Sequence, residues 1–418
     1  MPLRWPRRFA CFTPGSNRRG RPQRETESGG EQIVSAAFVT SSTLIGLDFI
    51  TLSRVNCLMD YSGRRVLVTG GCGFIGSNLA VRLAAEGALV TVVDPLVAGC
   101  GGNRFNLEPA LDHPRIEVLE ASIADEDRVQ PFVEDCDLVF NLAGEISHIH
   151  SMLFPERDLE INTVAQVRFL QLCADVSPGL RIVYAGTRQV YGVAEYLPVD
   201  EDHPVNPVDY NGVHKYAATQ YHLMLSRMGL LDAVVLRLTN VYGPRMAMDV
   251  PCQGFLSTYF RKALTGQPLE IFGDGLQLRD PVYVDDVVEA MLLAGAIRQL
   301  PARAYNIGGP EPLTLAAIAN TVSQVADLPP ATRREFPAER KAIDIGSYYT
   351  DSTRARLDLG WRPGTSFQHG VASTLSYYRE HLACYLDPAV PNPACKLGHG
   401  SHPHSRRRVS LAAAAGGV

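Results

Sequence analysis

The stretch PVDYNGVHKYAAT, residues 207–219, holds a tyrosine and a lysine, two side chains that together can take a proton from an alcohol. A phenol ionises near pH 10 by itself, and a neighbouring ammonium lowers that value by favouring the phenolate. Tyr210 and Lys215 lie five residues apart. On a helix, side chains four apart share a face, whereas those five apart diverge by about 140°. The position four residues before Lys215 is Asn211, whose amide does not titrate. Two other groups are suited to proton transfer, Glu145 and His148 in NLAGEISHIHS. A histidine changes charge near neutral pH. Thr187, in YAGTRQVYG, offers a hydroxyl that can hydrogen-bond the reacting oxygen.

These groups need a scaffold. RRVLVTGG is a short apolar run closed by glycines, FIGSNLAVRLAAEG has helical periodicity ending at Gly87, and ALVTVVD is a second apolar run. RIEVLEA, DLVFNLAG, LRIVYAG and DAVVLRLTN repeat the theme, with helical stretches near 125–134 and 156–175. Alternation of this kind predicts βαβ units and an α/β fold, a doubly wound parallel sheet (Rossmann) buried on both faces. After about residue 240 the alternation loosens and Pro and Gly become common, which predicts a smaller C-terminal substrate-binding lobe over the strand ends.

TGGCGFIG runs from Thr69 to Gly76, out of a strand and into a helix. Gly70, Gly73 and Gly76 are spaced GxxGxxG, with Phe74 and Ile75 opening the helix. Such a turn lets backbone approach a pyrophosphate closely and sets it on the helix N-terminus. Asp94 closes the second strand, placed to hydrogen-bond the adenosine ribose. Its charge repels a 2′-phosphate, so the expected cofactor is NAD rather than NADP.

VLVTGGCGFIGSNLA, DLVFNLAG, VYAGTRQVYG, RLTNVYGPR, FGDGLQLRDPVYVDDVV and YNIGG follow one another in the order typical of extended short-chain dehydrogenases/reductases. Over roughly residues 62–380 the chain resembles their NAD-dependent nucleotide-sugar epimerase and dehydratase branch. The resemblance implies transient oxidation of a sugar hydroxyl with hydride passing to tightly held NAD. It also implies a homodimer through helices at about 156–175 and 211–228. Thr187 matches the hydroxyl position and Lys215 the lysine that also holds the nicotinamide ribose, while Asn211 occupies the tyrosine's place. Three explanations compete: Tyr210 reaches the site because Gly212 loosens the helix start, His148 or Glu145 substitutes, or redox chemistry is lost while binding persists. Asn162 in LEINT matches a residue that braces the active-site backbone, and Ser122 with Ile123 falls at the adenine. Asn240 corresponds to an asparagine contacting the sugar diphosphate and Arg279 to an arginine gripping it. Arg340 is the expected second grip, with Lys341 as its alternative. The 4,6-dehydratases carry an Asp–Glu pair after the hydroxyl position, and UDP-glucuronate decarboxylases a glutamate where Gln189 stands. Arg188 and Gln189 therefore favour an epimerase-like enzyme. The alternatives are a non-catalytic protein that binds NAD and a nucleotide sugar, and a reductase or dehydratase of another activated sugar.

Of 418 residues, 46% are apolar and 20% charged, an ordinary globular balance. A net charge of −5 speaks against a general partner in nucleic acid or anionic membrane. Nine cysteines without a CxxC pair suggest reduced thiols and a cytoplasmic location. The expected organisation is a disordered extension over 1–58, a NAD-binding domain over 59–240, a mainly substrate-binding lobe over 241–385 and a disordered tail over 386–418. Residues 1–24 hold seven arginines and no acid, and Met59 stands where a start before the first strand would fall. The uncharged run 33–47 is too short and polar to span a bilayer. His399, His402 and His404 in the tail are weak metal candidates, and Asp285 and Asp286 read as structural rather than metal-binding.

Overall fold

Every apolar run named above becomes a strand of one parallel sheet. The computed structural model describes residues 60–386 apart from 98, 109–112, 249–253, 337–340 and 342–343. The strands are β1 (Arg65–Thr69), β2 (Leu89–Val93), β3 (Ile116–Leu119), β4 (Leu138–Asn141), β5 (Arg181–Thr187), β6 (Asp232–Leu238) and β7 (Ala304–Ile307). They lie in the order β3-β2-β1-β4-β5-β6-β7, with Val66 opposite Val90 and Val68 opposite Phe140. The order reverses between β1 and β4, and in such sheets ligands bind in the crevice beyond the strands' carboxyl ends at that point.

The helices that matter for the site are α1 (Phe74–Ala85), α2 (Glu126–Asp135), α3 (His148–Leu153), α4 (Pro155–Leu159), α5 (Ala165–Val176), α6 (Tyr210–Arg227), α7 (Phe255–Leu264), α8 (Val284–Ala296), α9 (Leu315–Val325) and α10 (Phe367–His381). Side chains alternate across a strand, so each strand feeds two cores. Val66 and Val68 join Leu79, Leu83, Val287 and Met291 of α1 and α8. Leu67 joins Val129, Phe169 and Cys173 of α2 and α5 on the other face. A third cluster around Leu256, Phe260, Ile318, Val322 and Leu375 builds the C-terminal lobe from α7, α9 and α10.

Although most of the chain beyond residue 240 forms this lobe, α8 and β7 return to complete the sheet, β7 pairing with β6. At the amino end of β5 the fully buried Arg181 donates to Ala294 O, to Ile297 O at 2.6 Å and to Asp232 Oδ2 at 2.9 Å. One guanidinium thus ties β5, β6 and the end of α8 together. At the lobe junction Asp286 accepts from the Gly364 and Thr365 amides, a structural duty.

The helix expected over 156–175 is interrupted. A single π turn, Glu160–Val164, separates α4 from α5 and buries Asn162. Such turns insert one residue and re-aim the side chains around it. No described helix is long and apolar enough to cross a membrane. The described residues hold no group of three metal-ligating side chains. Arg340, the 1–58 extension and the tail histidines lie outside the described residues.

Candidate functional site

The glycine-rich turn is a cradle only glycine can line. Gly70 has φ of +65°, and a Cβ there would lie 2.7 Å from Leu142 O. A Cβ on Gly76 would stand 2.3 Å from Gly70 O. Gly73 is the N-cap of α1 and no side chain caps the helix, so its first-turn amides face outward for an anion. Phe74 packs toward the lobe and Ile75 toward the α1–α8 core. Beside the turn, the buried Asp94 accepts from Cys72 N at 3.1 Å and Leu96 N at 2.9 Å. Burial raises its carboxyl above the ordinary range against these two lowering bonds. A carboxylate has about four acceptor sites, so capacity remains for ribose hydroxyls. Ser122 is exposed with its Oγ accepting from Ala124 N at 3.2 Å, and Ile123 beside it is buried.

Beyond β4, the chain builds a buried polar knot. Lys215 is 7% exposed, and a Cβ on Gly144 would fall 2.8 Å from its Nζ and 2.7 Å from Asn162 Oδ1. Burial pushes the Lys215 ammonium down to about 8, against the raising charges of Asp158 and Glu145. Asn162 Oδ1 accepts from Glu145 N at 3.1 Å, bracing that loop. Asn211 is fully buried and its Nδ2 donates to Glu145 O at 2.9 Å and Asp158 Oδ2 at 2.8 Å. Asp158 Oδ1 meets His214 Nδ1 at 2.7 Å. Asn211 is therefore a strut between the β4 loop and α4. Glu145, also buried, sits 3.6 Å from His150 and 3.5 Å from Arg157. Tyr210 starts α6 in regular helix, 45% exposed, and does not line the cleft described next.

That cleft, about 220 Å³, opens between sheet and lobe and is lined in part by His148, Arg188, Gln189, Asp209, Arg279 and Asp344. Asp209 is the N-cap of α6, its Oδ1 accepting from Gly212 N at 2.7 Å, while its Oδ2 bonds His148 Nδ1. Burial would raise the Asp209 carboxyl, but His148 and the Gly212 amide hold it below the usual range. The Gln189 amide nitrogen meets His148 Nε2, so that nitrogen accepts and the ring proton sits on Nδ1, toward Asp209. Thr187 caps the short turn Arg188–Tyr191, its Oγ1 accepting from Gln189 N at 3.2 Å. Its own hydroxyl proton has no acceptor among the described residues.

Arg279, 7% exposed, donates to Leu278 O at 2.7 Å and Gly346 O at 2.5 Å, with Asp344 at 3.9 Å. Burial, helped by the like charge of Arg188, pushes it down to about 10. Arg188 stacks its guanidinium 4.9 Å over the Tyr348 ring. Asn240 is half-buried near the start of the lobe with an Oδ1 that has no partner among the described residues.

Of the residues singled out from sequence, Arg279 and His148 line the cleft, Thr187 is tied to it through the Gln189 amide, and Lys215 with Glu145 lies in the buried knot. Sequence reasoning missed Asp209, Asp158, Asp344 and Tyr348. Asp209 had a signal, an Asp just before a helix. Tyr348 had none, because only tertiary folding brings it under Arg188.

A bare glycine cradle, an acid closing β2 and a cleft between the sheet and the C-terminal lobe define a dinucleotide-binding α/β protein. A model of the NAD-dependent epimerase/dehydratase family matches residues 66–308, and the chain belongs to that family. The UDP-glucose 4-epimerase of Mycolicibacterium smegmatis is 33% identical over 320 residues, 75% of this chain and 98% of the relative. UDP-glucuronic acid decarboxylase 1 of Xenopus tropicalis is 29% identical over 363 residues, 83% of this chain and 81% of the relative. The crystal structure of a UDP-glucose 4-epimerase with UDP-glucose from Thermotoga maritima matches with a TM-score of 0.67 at 30% identity, covering 76% of this chain and 99% of its own.

Proposed function

We propose that the protein is an NAD-dependent enzyme that isomerises a nucleotide sugar by transient oxidation of one sugar hydroxyl, with His148 taking the proton in place of a tyrosine. The observation that carries this is the Asp209–His148 pair in the cleft wall, beside the free hydroxyl of Thr187. The turn at Gly70 and Gly76 fits NAD, since only glycine packs this tightly against Leu142 O and Gly70 O and so brings the uncapped start of α1 within reach of a pyrophosphate. The α1 N-terminus would take the pyrophosphate, Asp94 the adenosine ribose and Lys215 the nicotinamide ribose. When bound, NAD supplies reversible hydride acceptance.

The chain's own groups manage the proton. Thr187 donates its free O–H to the sugar oxygen. His148 Nε2 exchanges the Gln189 amide for the sugar O–H and takes that proton, while Asp209 stabilises the imidazolium that forms. The same proton returns when the opposite face of the carbonyl is reduced. Arg279 and Asn240 hold the sugar diphosphate, with Arg340 as a second grip. No carboxylate follows Thr187, since Arg188 and Gln189 stand there, which supports epimerisation over elimination of water.

A second reading is a binding protein without turnover, favoured by Asn211 having become a strut. The two part on one experiment. The protein is incubated with NAD and UDP-, dTDP-, GDP- and CDP-sugars, and products are read by mass and proton NMR. An isomer of unchanged mass, absent with His148→Asn, supports the enzyme. Binding of NAD and a nucleotide sugar with no product from any of them supports the binder. We infer also a cytoplasmic homodimer. The exposed apolar side chains Leu159, Val213 and Met224 on α4 and α6 support the pairing, and light scattering tests it.

A further inference from the structure

We propose that Arg188 is a specificity residue for a carboxylate on the sugar, so that the cleft takes a nucleotide-linked sugar acid. The inference rests on the nucleotide-sugar reading above. Arg188 is 9% exposed and lines the cleft, yet among the described residues its guanidinium makes no hydrogen bond and no ion pair. Asp209, Asp280 and Asp344 act on it only through space. Asp209 is already committed to His148 and Gly212, and Asp280 accepts from Thr350 N at 2.9 Å through Oδ2, while its Oδ1 has no partner among the described residues and makes no bond to Arg188. A guanidinium carries five N–H donors, and burying them without acceptors is costly. Stacking on Tyr348 fixes the plane of the group and leaves its edge for a ligand.

The ligand group must be anionic and planar to satisfy that edge, and a carboxylate matches a guanidinium through two parallel hydrogen bonds. The sugar diphosphate falls instead to Arg279, which is anchored on the Leu278 and Gly346 carbonyls at the lobe side. Arg188 follows Thr187 directly at the end of β5, on the side assigned to the sugar, where a carboxylate would give the guanidinium the direct acceptor it lacks among the described residues.

The test is calorimetry on the NAD-loaded protein with matched pairs, UDP-glucose against UDP-glucuronate and GDP-mannose against GDP-mannuronate, and with UDP and GDP alone. In the pair whose nucleotide binds, the acid is expected to bind tenfold or more tighter than its neutral partner, in keeping with roughly 1.5–3 kcal/mol for a hydrogen bond to a charged group. Arg188→Gln removes that gap and leaves the bare nucleotide unchanged, and Arg188→Lys retains part of it. The wild-type comparison alone decides the matter if the variants do not fold. Equal affinities within a pair overturn the inference and spare the nucleotide-sugar reading. Equal weakening of the bare nucleotide and the sugar acid by Arg188→Gln also overturns it, placing Arg188 on the diphosphate. Binding by no pair and no nucleotide overturns this inference, and the nucleotide-sugar reading falls only if the dTDP- and CDP-sugars of the panel above also fail to bind.

Discussion

The two halves of the site are made of different materials. The cofactor half is backbone: Gly70 and Gly76 are required because any Cβ would strike a carbonyl oxygen. The sugar half is side chains contributed by the β4 loop, the end of β5, the start of α6 and the lobe. A backbone cradle admits almost no substitution, since the space itself is the binding group. A side-chain pocket can exchange one proton carrier for another while the scaffold stands. Under the proposed function, Asn211 in the knot and His148 in the cleft wall would be such an exchange: Asn211 braces Glu145 and Asp158, and His148 is the group proposed to carry the proton.

The contrast is sharpest at Gly76. Gly76→Val places carbon where Gly70 O already lies, and NAD binding by calorimetry is expected to fall by ~100-fold or more, which is about 2.8 kcal/mol or more. Retained tight binding would sink the view of a cradle that only glycine can line. On the other side, His148→Asn is expected to lower kcat by about 10²–10⁴ with NAD affinity intact, the range for a lost acid/base group. Tyr210→Phe should stay within about twofold of wild type, because that ring is exposed and off the cleft. A large loss in Tyr210→Phe would return the proton to the tyrosine.

His222 provides a measure of the sheet beneath both halves. It is fully buried, stacked on Tyr184 with centroids 4.2 Å apart, and burial pushes it down to about 4. A depressed pKa means the folded state resists a proton that the unfolded chain accepts near pH 6.5. Stability is then intact above pH 6.5 and declines as pH falls toward 4, by roughly 3 kcal/mol for this group. Urea midpoints across that window should show the decline, and His222→Gln should flatten it. A more modest effect concerns Lys215. With its ammonium pushed down to about 8, the charged fraction falls as pH rises through 8, and NAD binding should weaken several-fold between pH 7 and 9. Lys215→Gln is expected to bind more weakly throughout but without the slope.

The contiguous features were legible from the chain. Six strands, the glycine turn and Asp94 each sit in one uninterrupted stretch whose local pattern is its own signal. The angular argument also identified Tyr210 as misdirected, and the regular α6 start agrees with it. What stayed hidden depended on distant partners. The orienting carboxylate of His148 is Asp209, on another element, and Arg188 is distinguished by what does not touch it, which no spacing can express. The π turn inside the 156–175 helix stayed hidden because no residue type marks a one-residue insertion in an otherwise helical stretch.

Arg181 sits at the end of β5 opposite Thr187, with its guanidinium fully buried among the Ala294 and Ile297 carbonyls and Asp232. One strand therefore carries a permanently satisfied cation at its root and a substitutable hydroxyl at its tip. Removing the root would leave the Ala294 and Ile297 carbonyls without their donor, at roughly 1–3 kcal/mol for each buried group, while Asp232 keeps Arg303. The tip has no comparable debt to the fold. Lineages of such a protein are free to trial new reactions at the strand tips because the roots stay locked.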